Sequence, residues 1–219
     1  MILLIDFDLY SEQDAEAWND FVLKSKNGTF LINRNYMDYH KDRFNDNSLM
    51  VFYNKKLVAI LPAHLTAEGI LSSHAGLTYG GLITGVKMTA AMAIEIFESL
   101  KTYLQSNGII GLYYKAIPHI YHNQPAEEDL QALFLLGAKV VRSDISSVIP
   151  LKRHIGFSTL KKRGLKKAEK GNVKVTESKN WLGYWNMLAD NLAKRYNVEP
   201  THSFDELRSL NNKFHNYIR

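Results

Sequence analysis

Apolar and polar residues repeat along the chain with two different periods, and the change of period predicts the order of the elements. Apolar residues at helical spacing predict helices at residues 11–24, 33–44, 88–105 and 126–136. Short apolar runs bounded by turn residues predict strands at 2–7, 49–53, 57–61, 70–73, 109–115 and 143–151. Asn54, Lys55 and Lys56 predict a tight turn between two of these strands, and Pro62 predicts an edge or a bulge.

The predicted helices fall between the strands without the regular alternation of a doubly wound sheet. Residues 1–151 are therefore expected to form an α+β domain with a mixed, mainly antiparallel sheet flanked by helices. Residues 152–219 add helices at 157–170, 181–196 and 204–214 but a single strand at 173–178. One strand cannot make a sheet, so we expect these residues to be the beginning of a second, incomplete unit.

The helix at 157–170 is the most distinctive segment of the chain. Ser158 or Thr159 can cap its start, and Gly171 favours its end. At about 100° per residue, one narrow face is apolar and the opposite face is cationic. The apolar face holds Phe157, Leu160, Gly164 and Ala168, and the cationic face holds Lys162, Arg163, Lys166 and Lys170.

The positive charge of the chain is concentrated around this helix. Residues 1–150 carry 12 Lys and Arg against 16 Asp and Glu, whereas residues 151–219 carry 15 against 6, within a total net charge of +5. Nine of those 15 bases lie between Lys152 and Lys174, opposed by Glu169 alone. Such a field attracts phosphates, on nucleic acid or on a small substrate. The plainer interpretation, a solvated helix surface, carries equal weight.

The composition of the chain excludes several kinds of site and segment. The chain of 219 residues is 46% hydrophobic and contains no cysteine, which excludes disulfides, thiolate metal sites and a cysteine nucleophile. No apolar run approaches the roughly 20 residues that a membrane helix needs. The opening residues lack the basic flank and cleavage site of a signal peptide, so they predict a strand and a cytoplasmic protein.

Two groups of residues in the first domain are candidates for binding. His40 follows two tyrosines on the second predicted helix, and its imidazole can contact a phosphate or a sugar. Tyr79, Gly80 and Gly81 lie in a glycine-rich stretch whose bare amides can donate to an acceptor oxygen. The alternatives are a packed or surface histidine and an ordinary turn between strands. His119, Tyr121 and His122 have no carboxylate at ligand spacing, so a metal site is not expected.

Three segments resemble the FemAB/FemX-like transferases, which carry tandem GNAT-fold domains and attach amino acids to peptidoglycan precursors. They are residues 28–40, entered from Gly28-Thr29-Phe30; residues 78–83, Thr-Tyr-Gly-Gly-Leu-Ile; and residues 161–175, with their run of lysines, Ala168 and Gly171. The resemblance implies a GNAT-like first domain and the start of a second. It implies an acyl-CoA or aminoacyl-tRNA donor, although the phosphate loop of acyl-CoA-binding GNAT domains is absent from the sequence.

The leading hypothesis is a FemAB-like transferase that moves an acyl or aminoacyl group onto an amine of a cell-envelope or nucleotide-linked acceptor. Lys162, Arg163 and Lys166 would clamp the acceptor's phosphates opposite the glycine stretch, and His40 and Tyr79 would contact the acceptor. No catalytic base can be named from the sequence. The alternatives are a nucleic-acid-binding module that uses the basic helix, and a non-catalytic interaction protein with the same scaffold.

Overall fold

The structure is a computed structural model that describes residues 5–150, 152 and 155–218. The chain forms two compact units. The first contains residues 1–139 together with 209–219, and the second contains residues 140–208. The predicted domain boundary at 151/152 stays a prediction, and the units are described separately below.

The first unit has two sheets and the helices that cover them. One sheet has the strand order β1-β2-β3-β6 and is antiparallel, and the other has the order β4-β5-β7, with β5 and β7 parallel. The strands are β1 Ile5–Leu9, β2 Leu49–Tyr53, β3 Lys56–Leu61, β4 Ala63–Leu65, β5 Ile70–Ser73, β6 Ile83–Thr84 and β7 Gly111–Tyr113. The helices are α1 Ala15–Lys24, α2 Arg34–Met37, α3 Ala90–Ser106 and α4 Glu128–Leu135. The predicted fold class, α+β with a mixed, mainly antiparallel sheet flanked by helices, is confirmed.

Both faces of the four-stranded sheet are covered at its central strands, which explains why β2 and residues 57–61 of β3 are continuous apolar runs. Val51 and Ala59 face the cluster formed with Ile96 and Leu100 of α3. Alternate residues such as Met50 face the cluster formed with α1. Since side chains of a strand alternate between faces, a strand covered on both sides must be apolar throughout.

The predicted turn between β2 and β3 is confirmed. Asn54 and Lys55 have φ of 46° and 64°, the left-handed conformation that a two-residue hairpin turn requires. The predicted interruption at Pro62 also occurs, because β3 ends at Leu61 and β4 begins at Ala63.

The second predicted helix is shorter than its pattern indicates. The α-helix α2 ends at Met37, and a 3-10 segment, Asp38–Arg43, continues it with non-helical torsions at His40 (φ −129°, ψ 27°). The side chain of His40 contacts the carbonyl of Met37 just before this break and the carbonyl of Gly76 in a distant segment, which stabilises the irregular geometry.

The second unit contains α5 Thr159–Lys170, α6 Trp181–Tyr196 and the first turn of α7 Phe204–Lys213. The three helices occur where they are predicted, and Ser158 caps α5 by accepting the N–H of Lys161. The predicted strands at 143–151 and 173–178 are wrong for the described residues 143–150 and 173–178. These residues are exposed, and no neighbouring segment of the described chain supplies the hydrogen bonds that define a strand.

The end of the described chain returns to the first unit. The ring of Phe214 packs on Phe30 and Tyr36, with centroids 5.9 and 5.8 Å apart, and Tyr217 stacks on Phe30 at 4.8 Å. We call Phe30, Tyr36, Phe214 and Tyr217 the aromatic wall. In the part of the chain that the structure describes, no helix has the length and apolar character needed to cross a membrane.

Asn27 connects the segment after α1 to the segment that enters β6. Its side-chain amide donates to the carbonyl of Leu82 at 2.9 Å and accepts the N–H of Thr84 at 2.9 Å. All three residues are buried. The two backbone groups therefore depend on this one side chain for their hydrogen bonds.

We predict that Asn27→Ala lowers the free energy of unfolding by about 3 kcal/mol, since two buried backbone groups lose their partners. Urea denaturation measures the change. The matched control is Asn107→Ala, because that exposed amide donates to the carbonyl of Tyr103 and water can replace it. The control substitution should lower the free energy of unfolding by less than about 1 kcal/mol. Equal losses in the two variants would contradict the assignment.

Candidate functional site

The glycine segment, residues 78–83, links the two sheets of the first unit. From the sequence we expect its amides to face a substrate oxygen. In the structure Gly80 N–H donates to the carbonyl of Lys115 at 3.1 Å, and Gly81 N–H donates to Ser73 Oγ at 3.3 Å. The irregular backbone needs these acceptors because it has left the ladder of a sheet. Binding of an acceptor by Gly80 and Gly81 stays a prediction.

A buried tyrosine–aspartate pair supports the same segment. Tyr114 donates its hydroxyl hydrogen to Asp129 and accepts the N–H of Leu82 at 2.6 Å. Gly81 has φ of 79°, and a Cβ at this position would lie 2.9 Å from the Tyr114 hydroxyl, so only glycine fits. Burial raises the pKa of Asp129 and raises the pKa of Tyr114 well above 10. The sequence does not indicate this pair, which assembles only through tertiary contacts.

Tyr79 joins two of the segments that carry the family resemblance. Its hydroxyl donates to Thr29 Oγ1 at 3.0 Å, and its ring stacks on Tyr121 with centroids 5.1 Å apart. Burial raises the pKa of the phenols of Tyr79 and Tyr36. Both are neutral hydrogen-bonding groups rather than anions near neutral pH.

His40 is buried beside the turn that precedes the glycine segment. Its Nδ1 lies 2.6 Å from the carbonyl of Met37, and its Nε2 lies 3.2 Å from the carbonyl of Gly76. Its ring stacks on Tyr39 at 4.2 Å. A Cβ at residue 76 would lie 1.8 Å from His40 Nε2, so Gly76 is required for this approach. The structure thus gives His40 a role in positioning this turn, and its contact with a substrate stays a prediction.

Three histidines surround Phe44 in this part of the first unit. The ring centroid of His74 lies 5.4 Å from that of His40 and 5.8 Å from that of His64. The Phe44 ring contacts all three histidine rings. The Nδ1 of His74 has no hydrogen-bond partner among the described residues. Burial lowers the pKa of His74 to about 4. The sequence does not indicate this cluster, because His64 and His74 are distant from His40 along the chain.

Arg34, the first residue of α2, is buried. The Arg34 guanidinium is 3.3 Å from the ring centroid of Tyr10 and 4.1 Å from that of Trp18. Its Nη1 is 2.5 Å from Asp46 Oδ2 and 3.6 Å from Asp38 Oδ1. Burial raises the pKa of Asp46, but Arg34 and hydrogen bonds from Ser48 outweigh that effect and lower it. We assign this cluster a structural role, since its charges are already paired.

The predicted cationic residues lie in the second unit, on α5. Lys162, Arg163 and Lys166 are exposed, and no residue of α5 is buried. The structure therefore brings His40, Tyr79, Gly80 and Gly81 into one unit and holds the three cations in the other. Their joint action stays a prediction. Among the described residues, no three His, Asp or Glu side chains are arranged to hold a metal ion.

The turn before α3, residues 85–89, packs closely against β3. Gly85 N–H donates to the carbonyl of Val58 at 3.0 Å, and a Cβ at Gly85 would lie 3.3 Å from that oxygen. The Thr89 hydroxyl caps α3 by accepting the N–H of Met92. The amides of Gly85 and Met92 are therefore used by the protein itself. This turn lacks the repeated glycines of a phosphate loop, so we assign it no role in binding a donor.

A comparison with solved structures finds partial matches to N-acetyltransferases. An aminoglycoside N-acetyltransferase AAC(6')-Iy in complex with CoA is 9% identical, with a TM-score of 0.42 over 68% of this chain and 96% of that chain. A ribosomal-protein-alanine N-acetyltransferase from Brucella melitensis is 12% identical, with a TM-score of 0.43 over 67% of this chain and 100% of that chain. A GNAT family acetyltransferase from Staphylococcus aureus is 9% identical, with a TM-score of 0.37 over 66% of this chain and 98% of that chain.

No protein-family model matches the chain, and no curated protein matches it. At these identities and TM-scores, an assignment of activity has to come from the residues of the chain itself.

We predict that His74 makes the stability of the protein fall as the pH is lowered. Its folded pKa of about 4 lies below the ordinary 6.5, so the unfolded chain binds the proton first. The contribution is complete above pH 6.5 and is lost progressively towards pH 4. It amounts to up to about 3 kcal/mol, because one unit of pKa corresponds to about 1.4 kcal/mol.

Urea denaturation between these pH values tests the assignment. His74→Asn should flatten the dependence, whereas His119→Asn should leave it unchanged, because His119 is exposed. Parallel curves for wild type and His74→Asn would contradict the prediction. NMR titration of the His74 ring gives an independent measure in the intact wild-type protein.

Proposed function

We propose that the protein is a FemAB-like transferase that moves an acyl or aminoacyl group onto an amine of a cell-envelope or nucleotide-linked acceptor. The hydrogen bond between Tyr79 and Thr29 is the observation that supports this most directly. It joins residues 28–40 and 78–83, two segments that carry the family resemblance and lie about fifty residues apart. Such a junction is expected where two segments form one binding surface. We expect the protein to act in the cytoplasm.

The acceptor's uncharged part is proposed to bind in the first unit. Tyr79 and Tyr121 present neighbouring rings, and burial keeps the Tyr79 phenol protonated, so it remains a hydrogen-bond donor or acceptor. His40 fixes the turn at Gly76 through its ring nitrogen. A change at His40 should therefore alter binding through the position of the glycine segment.

The acceptor's phosphates are proposed to bind Lys162, Arg163 and Lys166 of α5. Arginine offers paired donors that match two phosphate oxygens, and the lysines add positive charge. A phosphorylated or nucleotide-linked acceptor is therefore the substrate class that this helix favours.

The proposed reaction is acyl transfer. The acceptor amine attacks the carbonyl carbon of the donor's acyl group, the bond from that carbon to the donor's oxygen or sulfur breaks, and an amide bond forms. The amine loses a proton to the leaving group or to water. Orientation of the two reactants contributes strongly to such a rate. We assign no catalytic base, and the donor is either an acyl-CoA or an aminoacyl-tRNA.

We predict that nucleotide sugars such as UDP-N-acetylmuramyl peptides bind the protein and raise its melting temperature. The double variant Lys162→Glu, Arg163→Glu should bind at least about ten-fold more weakly, because charged hydrogen bonds are lost. A thermal-shift titration measures both. Lys179→Glu is the matched control, since it reverses an exposed charge of the second unit outside α5.

Two results would overturn the proposal. One is the absence of stabilisation by every nucleotide sugar tested. The other is wild-type binding by the charge-reversed double variant.

A further inference from the structure

The helix α5 carries an exposed apolar stripe that the proposed transfer reaction does not use. The stripe consists of Leu160, Gly164, Leu165 and Ala168, and Phe157 extends it before the helix begins. Leu160 is 77% exposed and Leu165 is 50% exposed. A contiguous apolar stripe of this kind, unlike apolar residues scattered singly over a surface, marks a candidate interaction site.

The positions of the lysines relative to this stripe are informative. At about 100° per residue the stripe spans roughly 140°, with Lys161 inside it and Lys167 at its edge. Lys162, Arg163, Lys166 and Lys170 lie on the opposite side. Long lysine stems can lie along an apolar surface while their ammonium groups reach a polar layer. Lys161 and Lys167 are placed for this role.

The charge of the helix limits what can cover the stripe. Within Thr159–Lys170 there are six bases and one acid, Glu169. A second copy of the helix would bring like charges together. A nucleic acid would neutralise the cations but leave Leu160 and Leu165 in water. An anionic lipid bilayer accepts both, because leucines enter the acyl boundary while lysines remain among the headgroups.

We propose that α5 docks the protein on the surface of an anionic lipid bilayer, with the axis of the helix in the plane of the interface. Leu160 and Leu165 are the apolar anchors, and Lys161 and Lys167 bind lipid headgroups beside them. The opposite face remains directed away from the lipid. This function is separate from the binding of an acceptor by Lys162, Arg163 and Lys166.

Co-sedimentation of the full chain with vesicles tests the proposal. Vesicles of equal parts phosphatidylglycerol and phosphatidylcholine should bind at least about ten-fold more protein than vesicles of phosphatidylcholine alone. The double variant Leu160→Gln, Leu165→Gln should reduce binding to the anionic vesicles by at least about ten-fold, since two leucines no longer enter the bilayer. Glutamine has nearly the helix propensity of leucine, so α5 is preserved.

Matched variants separate docking from unspecific effects. Leu182→Gln in α6 removes a leucine of the same 50% exposure as Leu165 and should bind like wild type. Lys161→Gln, Lys167→Gln should weaken binding by about ten-fold, because each lysine near an anionic surface contributes to attraction. Neither double variant changes a residue of the proposed acceptor site, so binding of nucleotide sugars should be unchanged in both.

Several results would overturn docking on lipid. They are equal binding to neutral and anionic vesicles, no binding to either, and unchanged binding of the leucine double variant. A dimer that dissociates in the leucine double variant would assign the stripe to a second copy. Binding to duplex DNA that exceeds binding to vesicles, with no effect of the leucines, would assign the helix to nucleic acid. Failure of nucleotide-sugar binding alone would affect only the proposed transfer reaction.

Discussion

The hydrogen bonds of the glycine segment are the constraint on which the first unit depends. This stretch passes from one sheet to the other and so loses the regular ladder of either. Three successive amides, those of residues 80–82, find three separate acceptors: Lys115 O, Ser73 Oγ and the Tyr114 hydroxyl. Just beyond the segment, Asn27 Oδ1 accepts the N–H of Thr84. A buried amide without an acceptor would cost as much as a sizeable part of the net stability of a domain. The identities of the surrounding residues follow from this requirement.

The same constraint shapes the candidate site. Because the amides of Gly80 and Gly81 serve the fold, the groups left to meet a ligand there are side chains, such as the exposed ring of Tyr121 that stacks on the buried Tyr79. The Tyr114–Asp129 pair and the contact of His40 with Gly76 hold this segment at two ends. A rigid segment presents a side chain with little loss of entropy on binding, which favours affinity.

Local patterns predicted the elements whose stability is mostly local. The hairpin turn at Asn54 and Lys55, the helix α6 and the capped start of α5 all depend on neighbours in sequence, and all were predicted. The strands at 143–150 and 173–178 were not correct, because a strand requires a partner that periodicity cannot supply. The break at His40 was missed for a similar reason, since Gly76 lies far from it in sequence.

The candidate site was predicted in part. The sequence indicated His40 and Tyr79 by residue type and resemblance, and the structure holds both in the first unit. It did not indicate Asp129 or His74, whose unusual environments arise from burial and not from any motif. Burial of a polar residue is a tertiary property, and helical or strand periodicity gives no measure of it.

Residues 209–218 return to the first unit, where Phe214 and Tyr217 complete the aromatic wall. In the order of the chain, residues 140–208 are therefore an insertion into the first unit, and that unit fixes both ends of the insertion. The entropy lost in closing an inserted segment between two fixed ends rises only with the logarithm of the segment's length. An insertion of this kind can therefore gain or lose chain with little effect on its host, provided the separation of its ends is kept.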